Sequence, residues 1–400
     1  MRNRLIVPAL VVALSAAGSA FGAVAVSSAG ASPTPIKVGM IVEKTGLYST
    51  YIAQYDQGFK IGLQFATKGT DKVGGRPIDV SFEDDADNPT TAVTDFKSLV
   101  GAGYKIIGGT GDSGIADELY PLAAQNKVVY ISGAAADDKI TGANKYTFRS
   151  GRQTYQDVQA AKSYISALGK NKRVIVLAQD YSFGQSYVTD TASAFKKLGD
   201  HVKDILVPLT TSDFTGTAAQ VAAYHPNIVF LAWAGATAFP LIQDLSNAHV
   251  FAHGAKVITG LANIGTYPFF TQYFGKNADY ISLYVSQGST NAANKYLVSH
   301  EKSEFSASAD LFSADGFVAG EMVARAAATG GATTSVASML KGLAGWSFLA
   351  PKGAETIRAS DHATLQPMYD VSLSSKNVVK VTKFLTAKAT APPVTAHFTN

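Results

Sequence analysis

The stretch GGTGDSGIADE, residues 108–118, sets Ser113 inside a Gly-Asp-Ser-Gly tetrapeptide, the kind of surroundings in which a hydrolytic serine attacks a carbonyl. A serine nucleophile needs a general base and an oxyanion hole. All seven histidines, His201 to His397, follow Ser113, so an order with the base ahead of the nucleophile is absent. The order serine, acid, histidine is met by the adjacent Asp361 and His362. The Gly-x-Ser-x-Gly elbow that accompanies that order lacks its final glycine, because residue 115 is Ile. Binding accounts for the same residues more simply. Ser113 stands where an apolar strand (104–109) hands over to a helix (114–125). There its hydroxyl caps the helix, and free backbone N–H groups hold a carboxylate or other anion at the positive end of the dipole. Gly108, Gly109, Gly111 and Gly114 let a ligand approach the backbone. The glycine spacing matches neither a phosphate loop nor a dinucleotide fingerprint.

Other groups with chemical potential read as follows. The run EDDADNP, residues 83–89, offers Asp85, Asp87 and Asn88 as oxygen donors, but it lacks the loop glycine and distal Glu of an EF-hand and is taken as a solvated turn. The histidines give no zinc site, and no metal or cofactor is expected. Tyr48 and Tyr51, Tyr181 and Phe183, and Trp233 all fall just beyond strand ends. Together they describe a cleft with apolar walls and a few polar groups, as a small-molecule site has.

These residues must be positioned by the elements around them. Short Val/Ile-rich runs lie at 36–42, 77–83, 104–109, 127–133, 173–179, 227–233, 256–261 and 280–286, and helix-like stretches separate them. Such alternation predicts βαβ units with mostly parallel sheets covered on both faces, an α/β fold of two doubly wound, Rossmann-like lobes. Ligands of such sheets bind at the carboxyl ends of the strands. That points to the loops at 43–49, 109–113, 133–138, 180–184, 233–236 and 260–265.

At 400 residues the chain exceeds one ordinary core, and 46% apolar with 16% charged residues is a globular profile. Arg2 and Arg4 precede an apolar run, 5–17, then small residues, so residues 1–31 read as a signal peptide, cleaved after Ala31 or earlier, after Gly22 or Ala25. An uncleaved anchor is the alternative, and either way the folded part lies outside the cytoplasm. With no cysteine, disulfides, a thiolate nucleophile and a lipid anchor on cysteine are excluded. Without Arg2 and Arg4 the charge is close to balanced, which leaves no field for nucleic acid. The end, residues 386–400, is rich in Thr, Ala and Pro and is expected to be a flexible tail.

Over residues 36–385 the chain resembles the type I periplasmic, or extracellular, solute-binding proteins of ABC importers, in the branch that binds branched-chain amino acids. The resemblance is carried in order by IKVGMIVEKTGLYS, GGRPIDVSFEDDADNP, IIGGTGDSG, VVYISGAAADDKIT with YTFRS, RVIVLAQDYSFGQS, SDFTGTAAQV, NIVFLAWAGATAFPLIQD, FSADGFVAGEMVARAA and KGAETIRASDHATLQPMY. It implies two lobes, 36–150 plus 288–348 and 151–287 plus 349–385, joined by three crossovers near 148–156, 284–290 and 345–355. Solute is held between them by hinge closure.

The same resemblance gives Ser113 and an S-A-T-like stretch the ligand carboxylate. Here that stretch reads Ala134-Ala135-Ala136, so backbone groups of Ala134 and Ala136 take the role, with Asp137 and Asp112 close by in sequence. Amino acid binders also carry an acid after the strand at KVITG, to pair with the ligand ammonium, whereas this chain has Leu261, Ala262 and Asn263. A buried ammonium without a carboxylate costs several kcal/mol. Asp112, Asp180 or Asp315 would have to compensate. The simpler expectation is an aromatic or aliphatic carboxylate, or an amide, against Asn263, Trp233, Tyr181 and Phe183. The expected protein is therefore a non-enzymatic, monomeric, exported receptor for a small organic solute, with a permease and ATPases as partners. An exported serine hydrolase and a ligand-sensing domain for a membrane partner are the competing readings.

Overall fold

In the computed structural model, which describes residues 33–398, the apolar runs become strands covered on both faces, as parallel sheets demand. β1 (Ile36–Val42) is buried at every position except Lys37. It lies inside a six-stranded sheet with β2 (Lys72–Val73), β3 (Arg76–Asp84), β4 (Ile106–Gly109), β5 (Val129–Ser132) and β6 (Thr147–Arg149), in the order β2-β3-β1-β4-β5-β6. All pairs are parallel except β2 with β3. The helices α1 (Ser49–Thr67), α2 (Pro89–Gly101) and α3 (Ser113–Asn126) connect them. Asn88 starts α2 by accepting the N–H groups of Thr90 and Thr91. The residues 1–31 expected to form the signal peptide lie outside the described residues.

After α4 (Thr154–Ala167) the rhythm repeats: β7 (Arg173–Gln179), α5 (Ser182–Lys196), β8 (His201–Val207), α6 (Thr215–Ala223), β9 (Ile228–Ala232), α7 (Ala238–Asn247), β10 (Lys256–Thr259), α8 (Tyr267–Phe274) and β11 (Ala278–Ser282). The chain then places α9 (Ala292–Phe305), α10 (Ser313–Gly330) and α11 (Val336–Leu343). A small antiparallel sheet follows, β12 (Ser347–Ala350), β13 (Gly353–Ile357) and β14 (Thr364–Leu365). Last come β15 (Met368–Leu373) and β16 (Val379–Leu385), which close the second sheet in the order β16-β15-β11-β10-β9-β7-β8. In each sheet the strand order reverses at an early strand, between β1 and β4 and between β7 and β9. Those are the switch points where crevices open.

Although α10 comes late in the chain, it packs on α1, beside the first sheet, because both helices carry glycine every fourth residue. A Cβ at Gly62 would lie 2.0 Å from the Phe317 carbonyl oxygen, and one at Gly316 would lie 2.0 Å from that of Tyr55. Only hydrogen at these positions lets the two backbones approach so closely.

The segment 386–398 differs from the flexible tail expected for 386–400. Arg358 donates to the carbonyl oxygens of Pro392 (2.7 Å) and Pro393 (2.9 Å), and Asp361 Oδ2 accepts the Thr395 N–H at 3.0 Å. Phe398 sits against the His362 ring, which stacks on Phe148 at 3.9 Å. The Arg-x-x-Asp-His stretch thus clamps the C-terminal segment. Thr and Ala composition alone did not show those acceptors.

Candidate functional site

Loops from the carboxyl ends of both sheets face one another. The loop after β1 carries Tyr48 and the loop after β7 carries Tyr181, and their hydroxyls are joined at 3.2 Å. Alongside, Ser182 Oγ donates to Asp117 Oδ2 at 2.6 Å, and the Asp138 N–H donates to Ser186 Oγ at 3.3 Å, so the start of α5 is stitched to α3 and to the segment after β5.

Two adjoining cavities lie in this crevice and share Tyr51 and Leu261 as walls. The inner one, about 30 Å³, is bounded by Tyr48, Tyr181, Phe183, Ala134, Arg152 and Phe312, among others. The outer one, about 690 Å³, is walled by Tyr51, Trp233, Phe239, Phe269 and Phe270, with Ser49, Thr50, Gln54, Asn263, Thr266 and Asp310 as polar groups. Among the described residues, Asp310 is the one carboxylate on that wall, and no Lys or Arg accompanies it. Its oxygens accept the N–H groups of Ile264 (2.8 Å) and Leu311 (2.9 Å), and burial pushes its pKa up to about 6. At neutral pH it is mostly ionised. Each oxygen keeps a second lone pair for a donor in the pocket.

The residues expected from sequence divide between these surroundings. Tyr48, Tyr181, Phe183 and Ala134 line the inner cavity, while Trp233 and Asn263 line the outer one. Trp233 Nε1 donates to Thr237 Oγ1 at 3.0 Å, and Asn263 Oδ1 accepts the Thr266 N–H at 3.0 Å, which fixes both side chains. Ser113, Asp112, Ala135 and Ala136 line neither cavity. Ser113 is the first residue of α3 and only 1% exposed, and its Oγ accepts the N–H groups of Ala136 (3.1 Å) and Asp137 (3.2 Å). Its hydroxyl is thus bonded to the very backbone expected to share a ligand carboxylate with it. Asp112 is the N-cap of α3, with Oδ1 accepting the Ile115 N–H at 2.8 Å. Asp180 accepts from Gln185, and Asp315 is buried outside both cavities.

Two residues that matter here were not singled out in the sequence. Glu43, at the end of β1, is fully buried, and its carboxylate accepts the N–H groups of Gly111 and Asp112 and the Thr110 hydroxyl. The loop amides just before α3 are therefore taken by a side chain of the protein. The signal was a carboxylate placed directly after an apolar strand next to that loop. Asp310 carried no such signal, because it precedes a helix far from any of the strand ends. Asp361 and His362, the partners considered for a serine nucleophile, are engaged with the tail, and burial lowers the His362 pKa to about 4.

A two-sheet α/β fold with its pocket between the carboxyl ends of both sheets is the architecture of type I periplasmic binding proteins. Residues 35–377 match the model of the periplasmic binding protein family, and the chain belongs to that family. Among solved structures it is similar to an ABC-type branched-chain amino acid transporter from Rhodopseudomonas palustris, at 30% identity over 90% of this chain and 99% of that one, with a TM-score of 0.74. The fold also matches a solute-binding protein of R. palustris in complex with benzoate, at 22% identity, 88% and 96% coverage and a TM-score of 0.78. A curated relative is Leu/Ile/Val-binding protein homolog 1 of Brucella abortus (strain 2308), 24% identical over 54% of this chain. The chain spans 58% of that relative's own length.

Proposed function

We propose that the protein is an exported receptor that captures a small organic solute between two lobes and delivers it to the permease and ATPase subunits of an ABC importer. The lobes are 36–150 plus 288–348 and 151–287 plus 349–385, and they close about the segments that pass between the two sheets. The observation that carries this reading is the pocket of about 690 Å³ walled by residues from both sheets.

The solute is amino acid-like or an amide, with an apolar or aromatic body. Asp310 supports this, because it offers a buried carboxylate on the pocket wall to an ammonium or amide N–H. The acid missing at Leu261, Ala262 and Asn263 thus has a substitute from another element. A carboxylate in the solute would find the Ser49 and Thr50 end of α1, where the helix dipole is positive. Trp233, Phe239, Phe269 and Phe270 favour an aromatic or branched aliphatic side chain. Neighbours of the same fold are described in complex with benzoate and with 4-hydroxybenzoate, and another as a branched-chain amino acid transporter.

The reading is tested by thermal melting with a panel of amino acids, their amides and aromatic acids, on the wild type and on Asp310→Asn. A hit among the amino acids and amides should raise the melting temperature of the wild type and lose most of that effect in the variant. Amino acids or amides that stabilise both proteins equally would remove Asp310 from the site.

A further inference from the structure

We propose that the first lobe holds a divalent cation, calcium by preference, between the carboxylates of Glu43, Asp85 and Asp87, beside the solute crevice and separate from it. One oxygen of each of these three residues lies within 4.8 Å of the others, the span that two oxygens have across an ion bound at ~2.4 Å. Magnesium demands near-octahedral geometry at ~2.1 Å and gives up its waters reluctantly, so a buried set of protein carboxylates suits calcium better.

The second observation concerns partners. The sequence suggested that the turn at 83–89 is solvated, but Asp85 is fully buried. Its Oδ1 accepts the Asp87 N–H, while its Oδ2 accepts no hydrogen bond from the described residues. Asp87 Oδ1 is also buried without a partner, although its Oδ2 accepts the Tyr48 N–H. Among the described residues the ion pairs are Arg152 with Asp157 and Arg358 with Asp361, so no Lys or Arg neutralises the group. Three carboxylates packed this way need either protons or a metal ion. An all-oxygen donor set selects a hard cation over zinc or copper.

The ion would tie three loops together. Glu43 ends β1 and grips the loop before α3, Asp85 and Asp87 form the turn between β3 and α2, and Asp87 holds the backbone of Tyr48. Occupancy therefore fixes the Tyr48 and Gly111 walls of the inner cavity before solute arrives.

The experiment uses the mature chain freed of metal with EGTA, melted at pH 7.5 with calcium, magnesium or manganese, and titrated with terbium, whose emission Tyr48 would sensitise. Calcium should raise the melting temperature saturably, by ~2–8 °C at a hundredfold excess over its Kd, with magnesium weaker. Asp87→Asn and Asp85→Asn should each lose the calcium-dependent rise, while Asp79→Asn, an exposed carboxylate on β3, keeps it. The proposal is overturned if no cation changes the wild-type melt and terbium stays dark. It is equally overturned if the calcium effect survives in both variants. A melt that rises on acidification and ignores every cation at pH 8 would give the site to shared protons instead.

Discussion

The carboxylate of Glu43 accepts the backbone N–H groups of Gly111 and Asp112, each at 2.7 Å from Oε1, across the gap between the ends of β1 and β4. This one contact decides what the Gly-rich loop can do. A loop whose amides already bond the Glu43 carboxyl group has little left for the carboxylate of a solute, so the polar end of the solute is sought elsewhere, at Asp310 and the start of α1.

Glu43 should also set a pH dependence. Burial, then the charge of Asp85, raises its pKa from 4.5 to about 8 in the folded protein. The folded state therefore binds the proton more tightly than the unfolded one. The associated stability is complete below about pH 4.5 and is lost as pH rises through 8, a loss on the order of a few kcal/mol. Urea midpoints measured in EGTA should fall between pH 6 and pH 9, and Glu43→Gln should flatten that slope. An unchanged slope in the variant would assign the dependence to other carboxylates.

Replacing Gly316 or Gly62 by Ala should destabilise the protein by roughly 1–3 kcal/mol or more, since each new methyl meets a backbone carbonyl that cannot move aside cheaply. The loss is read from chemical denaturation. The exposed Gly69, with nothing within 4 Å of its missing Cβ but a left-handed backbone, is the control for strain without overpacking.

Asp310→Asn should keep the fold, because the amide oxygen can still accept one of the two backbone N–H groups. Solute affinity should fall about ten- to a hundredfold for ammonium-bearing ligands, the range for losing a charged hydrogen-bond partner of ~1.5–3 kcal/mol. Calorimetric titration gives the ratio, and a purely aromatic acid should show no loss.

Tyr48→Phe and Tyr181→Phe each remove the hydroxyl bridge between the loops after β1 and β7. Because that bridge exists only when the two sheets are close, its loss should disfavour closure by about 1 kcal/mol and weaken solute binding about fivefold. Small-angle scattering of the solute-free protein should show a larger radius of gyration in both variants. An identical radius would place the bridge outside the closing motion.

Much of the architecture was legible because parallel strands announce themselves as unbroken apolar runs. Residues 36–42 and 173–179 are β1 and β7 to the residue. β8 and β16 escaped notice because both are edge strands that keep one face in solvent, with His201, Lys203 and Asp204 exposed on β8 and Lys380, Thr382 and Lys383 on β16. At the crevice, strand ends led to Tyr48, Tyr181, Phe183 and Trp233, and the family resemblance to Ala134 and Asn263. The partners that redirect Ser113 did not show, since its bonds run to Ala136 and Asp137 and the competing acid, Glu43, lies 67 residues from Thr110 in sequence. Pairing between loop backbones leaves no mark on residue type.

The central claim is that a small solute enters the crevice between the two sheets, and Trp233 reports on that place directly. The chain has two tryptophans, and Trp346 stacks on Phe348 away from the pocket wall, so Trp346→Phe leaves Trp233 as the sole indole reporter. Titrating this variant with the amino acid, amide and aromatic acid panel should give at least one saturable change in emission with one site per chain. If a solute stabilises the protein without altering Trp233 emission, or if none binds the folded chain at all, the crevice is not the binding site.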